Sequence, residues 1–235
     1  MLGKLYLIPS TLGGDNPEDV IPSFVLNKLR ELRCFLAEDI RTARRYLSRV
    51  GMPVPITELK FELLNKHTKQ EDISKLLTPI MQGDDVGIVS EAGLPAVADP
   101  GANLIAVAHA KGIQIVPLTG PSSVTLALMA SGLNGQNFAF VGYLPIKEPE
   151  RSKQIRQLEK ISGDFKQSQF FIETPYRNNQ LMQALVSTLK PSTLIHVSCD
   201  LTLPSEFTVT KMAKEWKKEM PDLHKRPSIF GIQAF

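Results

Sequence analysis

Val86-Gly87-Ile88-Val89-Ser90-Glu91-Ala92-Gly93-Leu94-Pro95-Ala96-Val97-Ala98-Asp99-Pro100-Gly101 is an apolar run that opens into a loop. Ala102 to Ala110 then carries a helical pattern. Strand, loop and helix in that order describe an open α/β layer, where ligands bind in the crevice beyond the carboxyl ends of strands. Two glycines, two prolines and two carboxylates fall within the twelve residues from Ser90 to Gly101. A simple chain reversal needs none of this, so the loop is the first candidate for a small-molecule site.

The same alternation runs through the chain. Strands are predicted at Leu5–Pro9, Cys34–Ala37, Val86–Val89, Gln114–Pro117, Phe138–Gly142, Gln169–Ile172, Leu194–Ser198, Glu206–Val209 and Ser228–Ala234. Helices are predicted at Pro17–Leu32, Ile40–Arg49, Gln70–Met81, Ala102–Ala110, Ser122–Ser131, Glu150–Ile161, Arg177–Leu189 and Lys211–Glu219. This is an α/β pattern. Two neighbouring strands around one helix near the end point to a mixed sheet in the second half. The turn Thr119-Gly120-Pro121-Ser122-Ser123 marks a domain junction near residue 119, giving domains 1–118 and 119–235.

Of 235 residues, 43% are apolar and 22% charged, as in a globular protein with a packed core. The net charge of +3 permits an anionic partner without demanding one. No run approaches the ~18 apolar residues of a membrane span, and Met1 to Tyr6 leads straight into a strand-like run. Neither a membrane partner nor a secretory leader is expected. Cys34 and Cys199 lie far apart with no metal-ligand spacing, which argues against a zinc site or disulfide framework and fits a reducing cytoplasm.

Three further loops follow strands. Pro9-Ser10-Thr11-Leu12-Gly13-Gly14 is glycine-rich but lacks the G-x-G-x-x-G spacing of a dinucleotide loop, and a plain turn explains it equally well. Glu38-Asp39-Ile40-Arg41 places two carboxylates at a helix start, where the helix dipole alone would favour them. Arg41, Arg44, Arg45 and Arg49 then share one helical face, either a phosphate footprint or a solvated surface. Glu173-Thr174-Pro175-Tyr176-Arg177 either makes a plain helix entry or turns Tyr176 and Arg177 to the same crevice as the opening loop. His67, in a polar stretch, is expected at the surface.

Taken in order, these loops resemble one family. The resemblance rests on Leu5 to Ser10, Ala37 to Arg41, Val89 to Pro95 with Asp99-Pro100-Gly101, Pro117 to Ser123, Gly142-Tyr143-Leu144-Pro145, and Glu173 to Arg177. Together they look like the tetrapyrrole (corrin/porphyrin) methylase superfamily of S-adenosylmethionine-dependent methyltransferases. The chain is most similar to the bacterial branch that 2′-O-methylates a cytidine of small-subunit ribosomal RNA.

The resemblance implies two α/β domains, a homodimer, and S-adenosylmethionine in a cleft between the domains, leaving as S-adenosylhomocysteine. It implies that Pro9, Ser90, Glu91, Ala92, Gly93, Leu94 and Pro95 surround the methionine end, largely through backbone groups, with Val97 packed near. Ser122 and Ser123 would line the floor. Tyr143, Leu144, Thr174 and Tyr176 would approach from the second domain, and Val197, Ser198, Leu201 and Ile229 would flank the adenine. The chain departs from the branch at Glu91-Ala92-Gly93-Leu94 (usually Asp-Ala-Gly-Thr), at Gly14 (usually Asn), at Ser198-Cys199-Asp200-Leu201 (usually Ala-Arg-Glu-Leu) and at His67-Thr68 (usually His-Asn). Losing that Arg and Asn removes polar groups that could hold substrate, and Leu94 in place of Thr removes a hydroxyl near the cofactor.

A ribose hydroxyl is a poor nucleophile, so a base or a charge near it would help. Glu38, Asp39 and Arg41 are the candidates. Three functions stay open: an RNA 2′-O-methyltransferase acting on small-subunit rRNA or the ribosomal subunit, a methyltransferase for a tetrapyrrole or other small metabolite, and a cofactor-sensing binding protein.

Overall fold

Side chains alternate across a strand, so a strand buried on both faces reads as an unbroken apolar run. Cys34–Ala37 (β2) and Val86–Val89 (β4) are such runs, and every residue of each is buried. The computed structural model describes residues 1–235, the side chain of Gln70 excepted. The chain forms two compact units, Met1–Ser122 and Ser123–Phe235.

In the first unit, β2 and β4 lie inside an all-parallel sheet with Lys4–Ile8 (β1), Lys60–Leu63 (β3) and Gln114–Pro117 (β5), ordered β3-β2-β4-β1-β5. Ser23–Glu31 (α1) and Ile40–Val50 (α2) cover one face, packing Leu29 and Leu47 against Ile8 and Val89. Gln70–Leu76 (α3), Thr78–Met81 (α4) and Ala102–Ala110 (α5) cover the other, packing Leu77, Ile80 and Leu104 against Leu5, Leu36 and Ile88. From β1 the chain moves to β2 on one side, and from β4 it crosses β1 to reach β5 on the other. The order therefore reverses between the neighbours β1 and β4, which opens a crevice beyond their carboxyl ends.

The second unit has a mixed sheet, ordered β6-β7-β10-β8-β9, of Phe138–Tyr143 (β6), Ser168–Ile172 (β7), Leu194–Cys199 (β8), Phe207–Met212 (β9) and Ser228–Gln233 (β10). Only β6 and β7 pair in parallel. Its helices are Ser123–Ser131 (α6), Glu150–Phe165 (α7), Asn178–Thr188 (α8) and Ala213–Trp216 (α9). Phe171 stacks on Phe230 at 6.2 Å in the core shared with α7, α8 and α9.

Several predicted elements are corrected. Pro17–Leu32 is not one helix: a 3-10 turn at Pro17–Asp19 precedes α1, because Pro22 restrains the residue before it and sits at the cap. Gln70–Met81 splits at Leu77, where Pro79 begins a new turn. The helix expected at Lys211–Glu219 is the four-residue α9, since β9 stays paired with β8 as far as Met212. Strand β3 was not predicted. No helix among the described residues is long and apolar enough to cross a membrane.

Candidate active site

Three loops of the first unit lock together at the carboxyl edge of the parallel sheet. Ser10 N–H donates to the Gly93 carbonyl at 2.9 Å and Gly93 N–H returns a bond to Ser10 at 3.3 Å. The Ser10 hydroxyl donates to the Ser90 carbonyl, and the Ser90 hydroxyl donates to the Gly93 carbonyl, both at 3.1 Å. A turn this tight needs a left-handed residue, and Gly93 has φ +75° with Leu12 and the Pro121 carbonyl close to where a Cβ would stand. Gly120 lets the third loop meet Pro9, whose ring would lie 2.2 Å from an added Cβ. Beyond the lock, Ala96 and Ala98 hold left-handed φ of 63° and 58° on either side of Val97, which is 46% exposed. Non-glycine residues adopt this conformation at a cost, and such strain gathers at ligand sites.

The carboxylates beside these loops differ in character. Asp39 caps α2, accepting from Thr42 N–H at 2.7 Å, and that backbone bond holds its carboxyl below the usual range. Glu38 has no such partner among the described residues. Partial burial pushes its carboxyl up, and the nearby Asp99 and Glu91 carboxylates push it further, with Lys66 opposing. Burial also raises Asp99, against backbone bonds from Gly101 and Ala96. Glu38 is thus a half-buried carboxylate of raised basicity at the sheet edge.

The arginine stripe divides. Arg44 leans over the Phe61 ring of β3 at 5.2 Å, and Arg41 is exposed. Arg45 and Arg49 turn the other way into a cavity of about 220 Å³, lined also by Ser10, Thr11, Thr42, Tyr46, Ser90 and Glu91. Tyr46 fixes the cavity to β1 by donating its hydroxyl to the Pro9 carbonyl at 2.8 Å. The sequence pattern flags the arginines, but the part played by Thr42 and Tyr46 goes unseen. Its trace is that each stands four residues apart on α2, interleaved with Arg45 and Arg49.

In the second unit, separate motifs meet on one line across the sheet. Tyr143 pairs with Ile172, Ile172 with Ile229, and Ile229 with Ser198. Thr174 follows the β7 end of that line, and its buried hydroxyl oxygen has no partner among the described residues. Tyr143 and Tyr176 are 58% and 68% exposed. Glu173 is buried and holds the loop, accepting from Arg177 and from Thr174 N–H, both at 2.6 Å. Val197 and Leu144 instead belong to the hydrophobic core, so alternation turns Val197 away from the face of Ser198. Leu201 is buried at the start of the turn after β8, and Ser122 is buried just before α6, which Ser123 opens. His67 is exposed, as its polar surroundings predict.

A profile of the Tetrapyrrole (Corrin/Porphyrin) Methylases matches residues 19–215. The chain belongs to the tetrapyrrole methylase family. It is similar to Ribosomal RNA small subunit methyltransferase I of Thermotoga maritima, at 34% identity over 80% of this chain and 76% of that protein. The protein of the same name from Pseudomonas aeruginosa is 30% identical over 74% of this chain. The chain spans 58% of that relative's length. Among solved structures the fold matches the methyltransferase CobJ, with TM-score 0.63 and 18% identity over 98% of this chain and 94% of that one.

Proposed function

We propose that this chain is an S-adenosylmethionine-dependent methyltransferase that methylates a ribose 2′-hydroxyl of small-subunit ribosomal RNA. The observation that carries the reading is the family match across residues 19–215, joined to relatives that share one name, Ribosomal RNA small subunit methyltransferase I. The ribose 2′-position follows from the branch that the loop motifs resemble. A cytoplasmic homodimer is part of the same proposal.

The residues fit the cofactor on two counts. The Ser90–Gly93 turn spends its own side chains on holding itself closed, while Glu91 and Ala92 are exposed, which suits recognition through backbone groups. Thr174 keeps an unpartnered buried hydroxyl oxygen at a position where the resemblance expects a cofactor contact, and such an atom is costly unless a ligand satisfies it. Pro9, Ser90 to Pro95, Val97, Ser122 and Ser123 form the first set of proposed contacts. Tyr143, Leu144, Thr174, Tyr176, Val197, Ser198, Leu201 and Ile229 form the second, with Val197 and Leu144 contributing backbone only. S-adenosylmethionine supplies a methyl group on a sulfonium and brings its own leaving group.

What the protein adds is positioning and proton management. Glu38 is the proposed base for the ribose hydroxyl, because its raised basicity suits it to accept a proton. Asp39 acts through the cap that sets the start of α2, and Arg41 offers a cation nearby. The deciding experiment incubates the protein with methyl-labelled cofactor and, in parallel, small ribosomal subunits, naked rRNA and a small-molecule extract. Label in rRNA or subunits is the expected outcome. Label confined to small molecules would overturn the reading in favour of a metabolite methyltransferase.

A further inference from the structure

The cavity between α2 and the loops after β1 and β4 has chemistry that positioning a cofactor does not use. At about 220 Å³ it is smaller than the ~300–1,000 Å³ of pockets that enclose a whole drug-sized ligand, so it admits one chemical group. Arg45 enters it with no carboxylate partner among the described residues, where its one hydrogen bond is a 3.4 Å contact to the Thr42 hydroxyl. Arg49 enters beside it, paired among the described residues only with the exposed Asp15 at 2.5 Å. Exposed pairs of this kind are weak and readily exchanged.

The hydroxyls sort by where their protons already go. Ser10 and Tyr46 donate to backbone carbonyls, so inside the cavity they can only accept. Thr42 accepts from Arg45, and its own hydroxyl proton goes to the Asp39 carboxylate. The charged donors are therefore the two guanidinium groups on the α2 side. The acceptors are Ser10 and Glu91 on the loop side, with Tyr46 on α2 held toward them by its bond to the Pro9 carbonyl. A group with anionic oxygens at one end and a hydroxyl at the other matches this division. Glu91 repels a second anion, which limits the cavity to one.

We propose that this cavity seats one phosphodiester of the RNA strand that presents the acceptor ribose, with Arg45 as its principal cation and Glu91 facing a sugar hydroxyl. The proposal rests on the RNA reading above. It gives a planar two-pronged donor to a phosphate, the partner that guanidinium suits best. It also separates Arg45 and Arg49 from Arg44, which is spent on Phe61.

The test measures binding of a short fluorescein-labelled single-stranded RNA across a series of salt concentrations, apart from methyl transfer. Arg45→Ala should bind about tenfold more weakly, the size of one charge-assisted bond, and its slope of log affinity against log salt should fall by about one. Asp15→Asn, which frees Arg49, should bind more tightly, an effect a merely structural residue would not produce. Neutral methylphosphonate linkages placed one at a time should weaken wild type at one position and leave Arg45→Ala unaffected there. Unchanged affinity and slope in Arg45→Ala would overturn the proposal while methyl transfer to rRNA kept the functional reading intact. Arg45-dependent binding without methyl transfer would uphold the site and sink the reading, and a wild type that binds no RNA would sink both.

Discussion

Two titratable residues tie structure to measurable pH dependence. Burial and two neighbouring carboxylates raise Glu38, so the acid limb of its pH–rate profile should lie above that of an ordinary glutamate. Asp99→Asn removes one of those charges and should move the limb down, while Glu38→Gln should cut turnover and spare cofactor affinity. Asp39→Asn keeps a side-chain oxygen for the Thr42 N–H and should retain activity, whereas Asp39→Ala should lose the cap and melt earlier. In the second unit, Thr210 donates to the Ser131 carbonyl at 2.7 Å, so it must accept from His196 Nδ1–H, and Nε2 must accept from Ser198. Burial lowers His196 to about 4, and the ring is neutral at pH 7. The folded value lies below the unfolded 6.5, so its contribution is complete above that pH and is lost as pH falls toward 4. The loss amounts to roughly 3 kcal/mol. Urea unfolding of wild type at pH 7 and pH 5 should differ by more than it does for His196→Gln; equal differences would refute the assignment.

At the level of elements, the tightest constraint is the turn at Gly93. Gly93→Ala forces a Cβ into a left-handed backbone against Leu12 and should cost about 1–2 kcal/mol in denaturant unfolding, with weaker S-adenosylmethionine binding. The loops around this turn are legible in sequence because glycine, proline and carboxylates cluster where strands end. Strand β3 is not, because Lys60-Phe61-Glu62-Leu63 is a short edge strand with little burial, held by β2 and by Phe61 stacking on Phe35. Apolar spacing predicts unbroken helices across Pro22 and Leu77, but proline decides where a helix can continue. The α2 cavity was half legible. Its arginines are neighbours in sequence, but Tyr46 finds its Pro9 partner 37 residues away, and no local pattern announces that contact.

Across the whole molecule, each unit owns its sheet and its hydrophobic core, and no strand is shared. Residues 1–122 and 123–235, expressed apart, should each show far-ultraviolet circular dichroism of a mixed α/β fold and a cooperative melt. Phe171→Ala, deep in the second core, should cost about 3–5 kcal/mol in the denaturant unfolding of residues 123–235. The two cysteines fall one to a unit, Cys34 in β2 and Cys199 in β8, both buried and unpaired, with thiols that burial makes harder to ionise. Their labelling by a thiol reagent therefore reports the opening of each unit separately. One native chain thus carries two internal clocks, readable by mass spectrometry without any engineered probe, for asking which half loosens first when cofactor or RNA is added.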